Sequence, residues 1–231
     1  MARVGDRKTI RTYGRRKGHR LSARKQRLVD ETLPPLRLAM HASAPAPLTG
    51  LFCVPVSQVW LEIGFGAGEH LAWQAEANPG VGIIGCEPYL NGVAALLASI
   101  EERSFENIRI WDGDAREVLD WLPDTSISRV FVLHPDPWPK ARHHKRRLVS
   151  PETLEVFARV MVAGAELRVA TDIGDYARSS LEAVQASGSF VWTAECAGDW
   201  RAPLPDWPPT RYERKAKQQG RAPIYLRFLR V

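Results

Sequence analysis

Cysteine is scarce in this chain of 231 residues: Cys53, Cys86 and Cys196 stand far apart, with no CxxC pair and no zinc-type spacing. A disulfide framework and a structural zinc site are therefore not expected, and reduced thiols fit a cytoplasmic setting. His143 and His144 have no Cys or carboxylate at ligand spacing beside them, so no metal is expected. Long apolar runs are also missing. Nothing approaches the roughly 18–20 residues of a membrane span, and the basic N-terminus lacks the apolar stretch of a signal peptide. No internal repeat is present. The 45% hydrophobic content is that of a globular protein, and the length fits one α/β domain with an appendage.

The net charge of +6 hides an asymmetry. The first 27 residues hold eleven Lys and Arg against one acid, Asp6, whereas the remainder holds 21 basic and 25 acidic residues. Positive charge is thus gathered into patches. One is an N-terminal arm with Arg15, Arg16, Lys17, Arg20, Arg24, Lys25 and Arg27. A second follows a proline-rich turn and contains Lys140, Arg142, Lys145, Arg146 and Arg147. A third runs from Arg211 to Lys217. Such clusters are the footprint of phosphate contacts; the plain alternative is a solvated basic tail. Residues 42–55 are rich in Ala and Pro. The expected organisation is a basic arm over residues 1–41, a linker over 42–56 and one domain over 57–231.

Strands and helices alternate through that domain. Apolar runs at Val59–Ile63, Gly82–Cys86, Ile108–Trp111, Val130–Leu133, Glu166–Ala170, Phe190–Ala194 and Ile224–Leu229 read as strands. Helical spacing recurs at Ala67–Asn78, Leu90–Arg103, up to Leu122, and at Tyr176–Ala186. Ser150-Pro151 opens another helix as N-cap and first position, with Gly164 as its stop. Thr210 is a candidate N-cap for Arg211–Gln219. The alternation predicts an α/β fold, a doubly wound, mostly parallel sheet covered on both faces. Ligands in such sheets bind beyond the carboxyl ends of the strands, near the switch point.

The chemistry-bearing residues fall at those ends. The first turn, Leu61-Glu-Ile-Gly-Phe-Gly-Ala-Gly68, has Gly64, Gly66 and Gly68, which let backbone approach a ligand closely. It departs from the dinucleotide GxGxxG pattern, because Glu69 stands where the last glycine belongs. An anion beside a helix N-terminus opposes a pyrophosphate, while Glu62 can accept from an ammonium group. Both features favour S-adenosylmethionine over NAD. Glu87, 23 residues after Gly64, can accept from two ribose hydroxyls. Asp114 and the Ala115 N–H can bracket an adenine. In His134-Pro-Asp-Pro-Trp-Pro-Lys140, each proline fixes its own φ and pushes the preceding residue toward extended backbone. Asp136, Trp138 and Lys140 are then held on a stiff support suited to a planar polar ring.

The set GFGAGEH, GCEPY, DGDAREVL, HPDPWPKARHHKRR, ATD and TRYERK resembles the bacterial tRNA (guanine-N7-)-methyltransferase family over nearly the whole chain. The resemblance implies a seven-stranded class I methyltransferase fold and methylation of a variable-loop guanine in tRNA. It implies that Glu62, Glu87, Asp114 and Asp136 line the methyl-donor site, with Asp136 in the catalytic centre. It places Lys140, Asp172, Thr210, Arg211, Tyr212 and Glu213 on the substrate side and Arg142–Arg147 on RNA. His134 and Pro139 depart from the family's usual Phe and His.

Three other readings remain at this stage. One is a methyltransferase acting on an exocyclic amine, since Asp136-Pro-Trp138 has the form of the acid-Pro-aromatic turns of those enzymes. Another is an NAD enzyme, opposed by Glu69. The last is a non-catalytic RNA-binding module. tRNA is the expected partner; no membrane is expected, no protein partner is evident, and a homodimer is compatible with the sequence.

Overall fold

The computed structural model describes residues 18–231. Arg15, Arg16 and Lys17 of the basic arm lie outside the described residues. The strands are β1 (Gln58–Ile63), β2 (Val81–Cys86), β3 (Ile108–Trp111), β4 (Ile127–Leu133), β5 (Met161–Thr171), β6 (Phe190–Trp192) and β7 (Ile224–Arg230). They form one sheet in the order β3-β2-β1-β4-β5-β7-β6. β1 through β5 pair in parallel, and β7 runs antiparallel to both β5 and β6. The expected mostly parallel, seven-stranded sheet is therefore present. Main helices are α1 (Glu69–Ala77), α2 (Leu90–Arg103), α3 (Ala115–Trp121), α4 (Pro151–Val160), α5 (Gly174–Ser187) and α6 (Arg211–Gln218).

Period-two alternation sorts the strand side chains onto two faces. Leu61, Ile63, Val130, Val132, Leu167 and Val169 share one core with Leu154 and Phe157 of α4. Trp60, Ile83 and Phe131 share the other with Leu71 of α1 and Val93, Leu96, Leu97 and Ile100 of α2. Ser150 caps α4 through a bond from Thr153 N, with Pro151 at its first position, as expected. Gly164 does not stop that helix. α4 ends at Val160, and Gly164 (φ +76°) sits inside the longer β5, where the β4 pairing slips between Ile127 and Arg129. A glycine is suited to such a bulge because it takes positive φ without a steric penalty.

The segment before the domain is packed. Residues Ala23–Arg27, Leu28–Thr32 and Leu33–Leu36 are helical, the middle stretch with π geometry. Leu28 and Leu33 are fully buried and belong to the α2-side core. Arg24 and Arg27 pair with Glu101 and Glu102 of α2, so their charge is directed at the protein. That corrects their assignment to a phosphate-binding patch. Residues expected as linker pack as well: Leu48–Leu51 is a 3-10 turn, and Leu48 and Phe52 are buried against the other core. No helix among the described residues is long and apolar enough to cross a membrane.

Truncating a fully buried leucine removes its transfer energy and leaves a cavity. Leu33→Ala is expected to lower unfolding stability by about 2–5 kcal/mol, read as a lower urea midpoint at unchanged slope. A solvated arm would leave the midpoint where it is.

Candidate active site

The sheet order reverses between β1 and β4, whose connections leave in opposite directions. A cavity of about 940 Å³ opens there, at the carboxyl ends of β1 to β4. The turn after β1 lines one side. Gly64 and Gly66 have φ of +76° and +59°, and a Cβ on either would meet nothing within 4 Å. Their bare backbone therefore faces open space where a ligand can approach. Gly68 has a different task. It caps α1, and a Cβ there would come within 2.7 Å of Leu96.

Glu87 secures this turn to β2. Its Oε2 accepts from Gly66 N at 2.8 Å and its Oε1 from Tyr89 N at 2.8 Å. Each carboxylate oxygen has a further lone pair for a hydroxyl. Burial pushes the Glu87 carboxyl above its usual range, against the pull of the two N–H donors. Glu62 is buried at the end of β1 and accepts from His70 Nδ1 at 2.7 Å. His70 Nε2 contacts Gln74 at 3.2 Å, and Gln74 donates to Asp206 O at 2.9 Å. Asp114 is the N-cap of α3, accepting from Arg116 N at 3.0 Å. Glu62, Gly64, Gly66, Glu87, Asp114 and Ala115 all border the cavity.

The proline turn closes the opposite side. Asp136 is solvent-exposed and borders the same cavity, with His134, Trp138 and Arg146. The backbone departs from the expected extended path: His134 and Trp138, each before a proline, lie at φ +48° and +43°. Left-handed backbone at such residues costs on the order of 1–3 kcal/mol and persists only where surroundings hold it. His134 N donates to Ala170 O at 2.7 Å, and the Trp138 ring packs under the Arg146 guanidinium at 4.8 Å. Arg147 braces the turn from inside. It is 3% exposed, donates to Pro137 O at 3.0 Å and Ser179 Oγ at 2.7 Å, and pairs with Asp175. The expectation that Arg147 contacts RNA is therefore corrected: its donors are spent on the fold.

Helix α6 forms the rim. Thr210 and Glu213 make a reciprocal capping box, as the sequence suggested for Thr210. Thr210, Arg211, Tyr212 and Lys215 border the cavity. Glu69 accepts from Arg211 N at 2.6 Å and from its guanidinium at 2.7 Å. Burial pushes the Glu69 carboxyl up, but the Arg211 contacts outweigh it and hold it below its usual range. Glu69 thus ties the glycine turn to α6, which corrects its reading as an uncompensated charge that repels anions. Asp172 and Glu213 do not border the cavity. Asp172 binds Arg221 and the Tyr212 hydroxyl, and Glu213 accepts from Trp207 Nε1 at 3.1 Å. Their expected substrate contact is replaced by a positioning one. Lys140, Arg142 and Lys145 are exposed around the turn Ala141–Arg146. Sequence reasoning missed Phe65, His70 and Tyr89 as cavity residues; the motifs GFGAGEH and GCEPY contained them without marking their direction.

A doubly wound sheet with a glycine turn after β1 and acids at the ends of β2 and β3 is the architecture of a class I methyltransferase. An rRNA methylase from Streptococcus thermophilus has the same fold, with a TM-score of 0.53 at 12% identity, covering 77% of this chain and 89% of that one. An antibiotic-related methyltransferase gives 0.53 at 16% identity, covering 76% and 89%. Residues 57–226 match the family described as "Putative methyltransferase". The tRNA (guanine-N(7)-)-methyltransferase of Ruegeria pomeroyi is 51% identical over 98% of this chain and 97% of its own length. That of a Chelativorans species is 47% identical with the same coverage. The chain belongs to the tRNA (guanine-N(7)-)-methyltransferase family.

The raised Glu87 carboxyl gives a pH signature. A carboxyl whose folded value lies above its unfolded one is protonated more readily in the fold, so its ionised form costs stability at neutral pH and that cost is relieved on acidification. Donor binding runs the other way on the expectation from the sequence that Glu87 accepts from the donor's ribose as a carboxylate. Affinity for S-adenosylmethionine, measured by calorimetry, is expected to fall as pH drops toward and through the raised Glu87 value, above the ordinary ~4.3. Glu87→Gln is expected to bind weakly with that pH dependence flattened.

Proposed function

We propose that this protein transfers a methyl group from S-adenosylmethionine to N7 of a guanine in the variable loop of tRNA. One observation carries the reading: a single cavity joins the glycine turn and the acids of β2 and β3 to a proline turn bearing Asp136 and Trp138, under a cationic helix. The family supports methyl transfer to tRNA guanine N7, and the curated relatives carry that activity in their names. The residues fit the donor. Glu87, pinned by Gly66 N and Tyr89 N, accepts from the ribose hydroxyls. Asp114 and Ala115 flank the base, Glu62 faces the ammonium group, and the bare backbone of Gly64 and Gly66 admits the chain between them. The donor supplies an electrophilic methyl on a sulfonium.

The protein's task is mostly alignment. Guanine N7 has a lone pair and no proton, so no general base is needed to make it a nucleophile. Holding N7 at near-attack distance supplies much of the rate. Positive charge builds on the purine as the methyl moves. Asp136 stabilises that charge while accepting from the N1 and N2 protons. Tyr212 and Trp138 offer flat surfaces to the base. Lys140, Arg142, Lys145 and Arg146 face phosphates, and Arg211 and Lys215 extend that surface across the rim.

Asp136→Ala is expected to lower turnover by well over tenfold, since one paired base contact of about 1–3 kcal/mol is lost together with alignment. Donor affinity should stay near wild type in the same preparation. Digesting the methylated tRNA to nucleosides decides the chemistry: 7-methylguanosine supports the reading, and an exocyclic N-methyl product overturns it. Binding to tRNA is expected to weaken steeply with salt. About four phosphate contacts predict roughly a hundredfold loss between about 50 and about 200 mM salt. A flat filter-binding series would remove the assigned cationic surface.

A further inference from the structure

His134 sits at the junction of β4, β5 and α6, and no contact of the proposed chemistry uses its ring. The ring is buried, with the side chain 6% exposed. Its Nδ1 lies 3.9 Å from Asp172 Oδ1 and its Nε2 lies 3.6 Å from Glu213 Oε1. Neither nitrogen has a hydrogen-bond partner. The ring also packs on Tyr212, centroid to centroid 4.3 Å. We propose that His134 is a positioning residue for the tRNA substrate: as an imidazolium it bridges Asp172 and Glu213 and clamps α6, with Tyr212 and Lys215, against the end of β4.

The chemistry of the ring singles out the charged form. A neutral imidazole has one N–H and one bare lone pair. Placed between two carboxylates, it turns that lone pair toward one of them. The imidazolium has a donor for each. Charge bookkeeping agrees. Asp172, just past β5, and Glu213 of α6 contribute two negative charges, and among the described residues Arg221 pairs with Asp172. The imidazolium supplies the second positive charge. Other groups facing the junction are Tyr212 of α6, whose hydroxyl contacts Asp172 at 3.3 Å, and Tyr225 of β7, whose phenol burial and Glu213 push up. Asp136 stands two residues along the turn. Burial pushes the Glu213 carboxyl up, yet His134 and Thr210 N hold it below its usual range, so it remains a carboxylate. Thr210, Arg211, Tyr212 and Lys215 all border the cavity. A clamp on Glu213 therefore sets one whole wall of the base site.

The inference rests on a tRNA base being seated between the proline turn and α6. Its test compares wild type with His134→Phe, which keeps a flat ring against Tyr212 and removes both donors. KM for tRNA, kcat and the dissociation constant for S-adenosylmethionine are measured across a series from about pH 5 to 8. In wild type, KM for tRNA is expected to rise about fivefold or more from the acidic to the alkaline end. His134→Phe should show the high KM throughout, with donor affinity unchanged. Glu213→Gln, which keeps the side-chain shape, should show the same loss of pH response. Amide hydrogen exchange in residues 211–218, compared at acidic pH, should be faster in His134→Phe than in wild type. A His134→Phe enzyme with the wild-type KM profile and unchanged exchange in α6 would overturn the clamp. The nucleoside product is read in the same assays. A wild-type product other than 7-methylguanosine rejects the functional reading, while altered α6 exchange in the variant still upholds the clamp.

Discussion

Everything at the site depends on how β1 meets β4. The two strands are neighbours, yet the chain departs from β1 toward β2 and from β4 toward β5. No crossover can cover the gap where those directions diverge, so backbone at both strand ends is left facing a cavity. In the proposed function, glycines serve the β1 side because the donor approaches backbone there, and prolines serve the β4 side because a side chain is held out over the substrate. The hydrogen bonds from Gly66 N and Tyr89 N to Glu87 then join the β1 turn to the β2 end, so the donor side becomes one unit.

The other half of the site is held by ionic contacts in addition to the packing of Trp207 on Ala170 and Tyr225. Arg147 grips the proline turn through Pro137 O and fastens it to α5 through Asp175 and Ser179. Arg168, 3% exposed, pairs with Glu166 and with Asp206, and Arg129 joins both acids while lying over the Trp60 ring at 4.2 Å. Asp206 leads directly into Trp207 and the capping box of α6. Buried ion pairs are a poor source of net stability, because desolvation offsets their attraction. Their geometric consequence is stronger: removing one partner leaves the other charge buried and unpaired. Loops without strand or helix ladders are thereby fixed beside the cavity.

The sequence made the sheet readable because most strands are short apolar runs, with Gly64, Glu87 and Asp112 closing β1, β2 and β3, and because α3, α4 and α6 open with side-chain caps. Seven strands, their mostly parallel pairing and the acids at their ends could all be placed on that basis. Its failures have physical causes. Leu28 and Leu33 are five residues apart, a spacing that an α-helix does not align but a π turn does, with Leu33 N bonding Leu28 O. Coming directly after Arg24, Lys25 and Arg27, they read as part of a solvated arm. Arg147 reads like its neighbours Lys145 and Arg146, and only the path of the 3-10 turn decides which cation faces inward. Asp172 and Glu213 share the residue type of substrate-binding acids, and the partners that occupy them, Arg221 and Trp207, lie on other elements. Periods and caps are local and legible; the pairing of charges is tertiary.

The contrast between Asp136 and the acids opposite it follows from what each must do. Glu62 and Glu87 are buried, and each is held by protein donors before any ligand arrives. Asp136 is exposed, so its side chain is solvated by water. Two unit charges about 4 Å apart interact by about 1 kcal/mol in water and about 4 kcal/mol at the dielectric of a partly buried site. In the proposed reaction the seated purine itself excludes that water. The carboxylate then strengthens its hold as positive charge grows on the ring, and the arriving substrate supplies the low dielectric. A pre-buried Asp136 would need a partner of its own, and that partner would compete with the purine. A stiff, exposed turn avoids the competition, because its geometry is already fixed by prolines and by Arg147 when the base arrives.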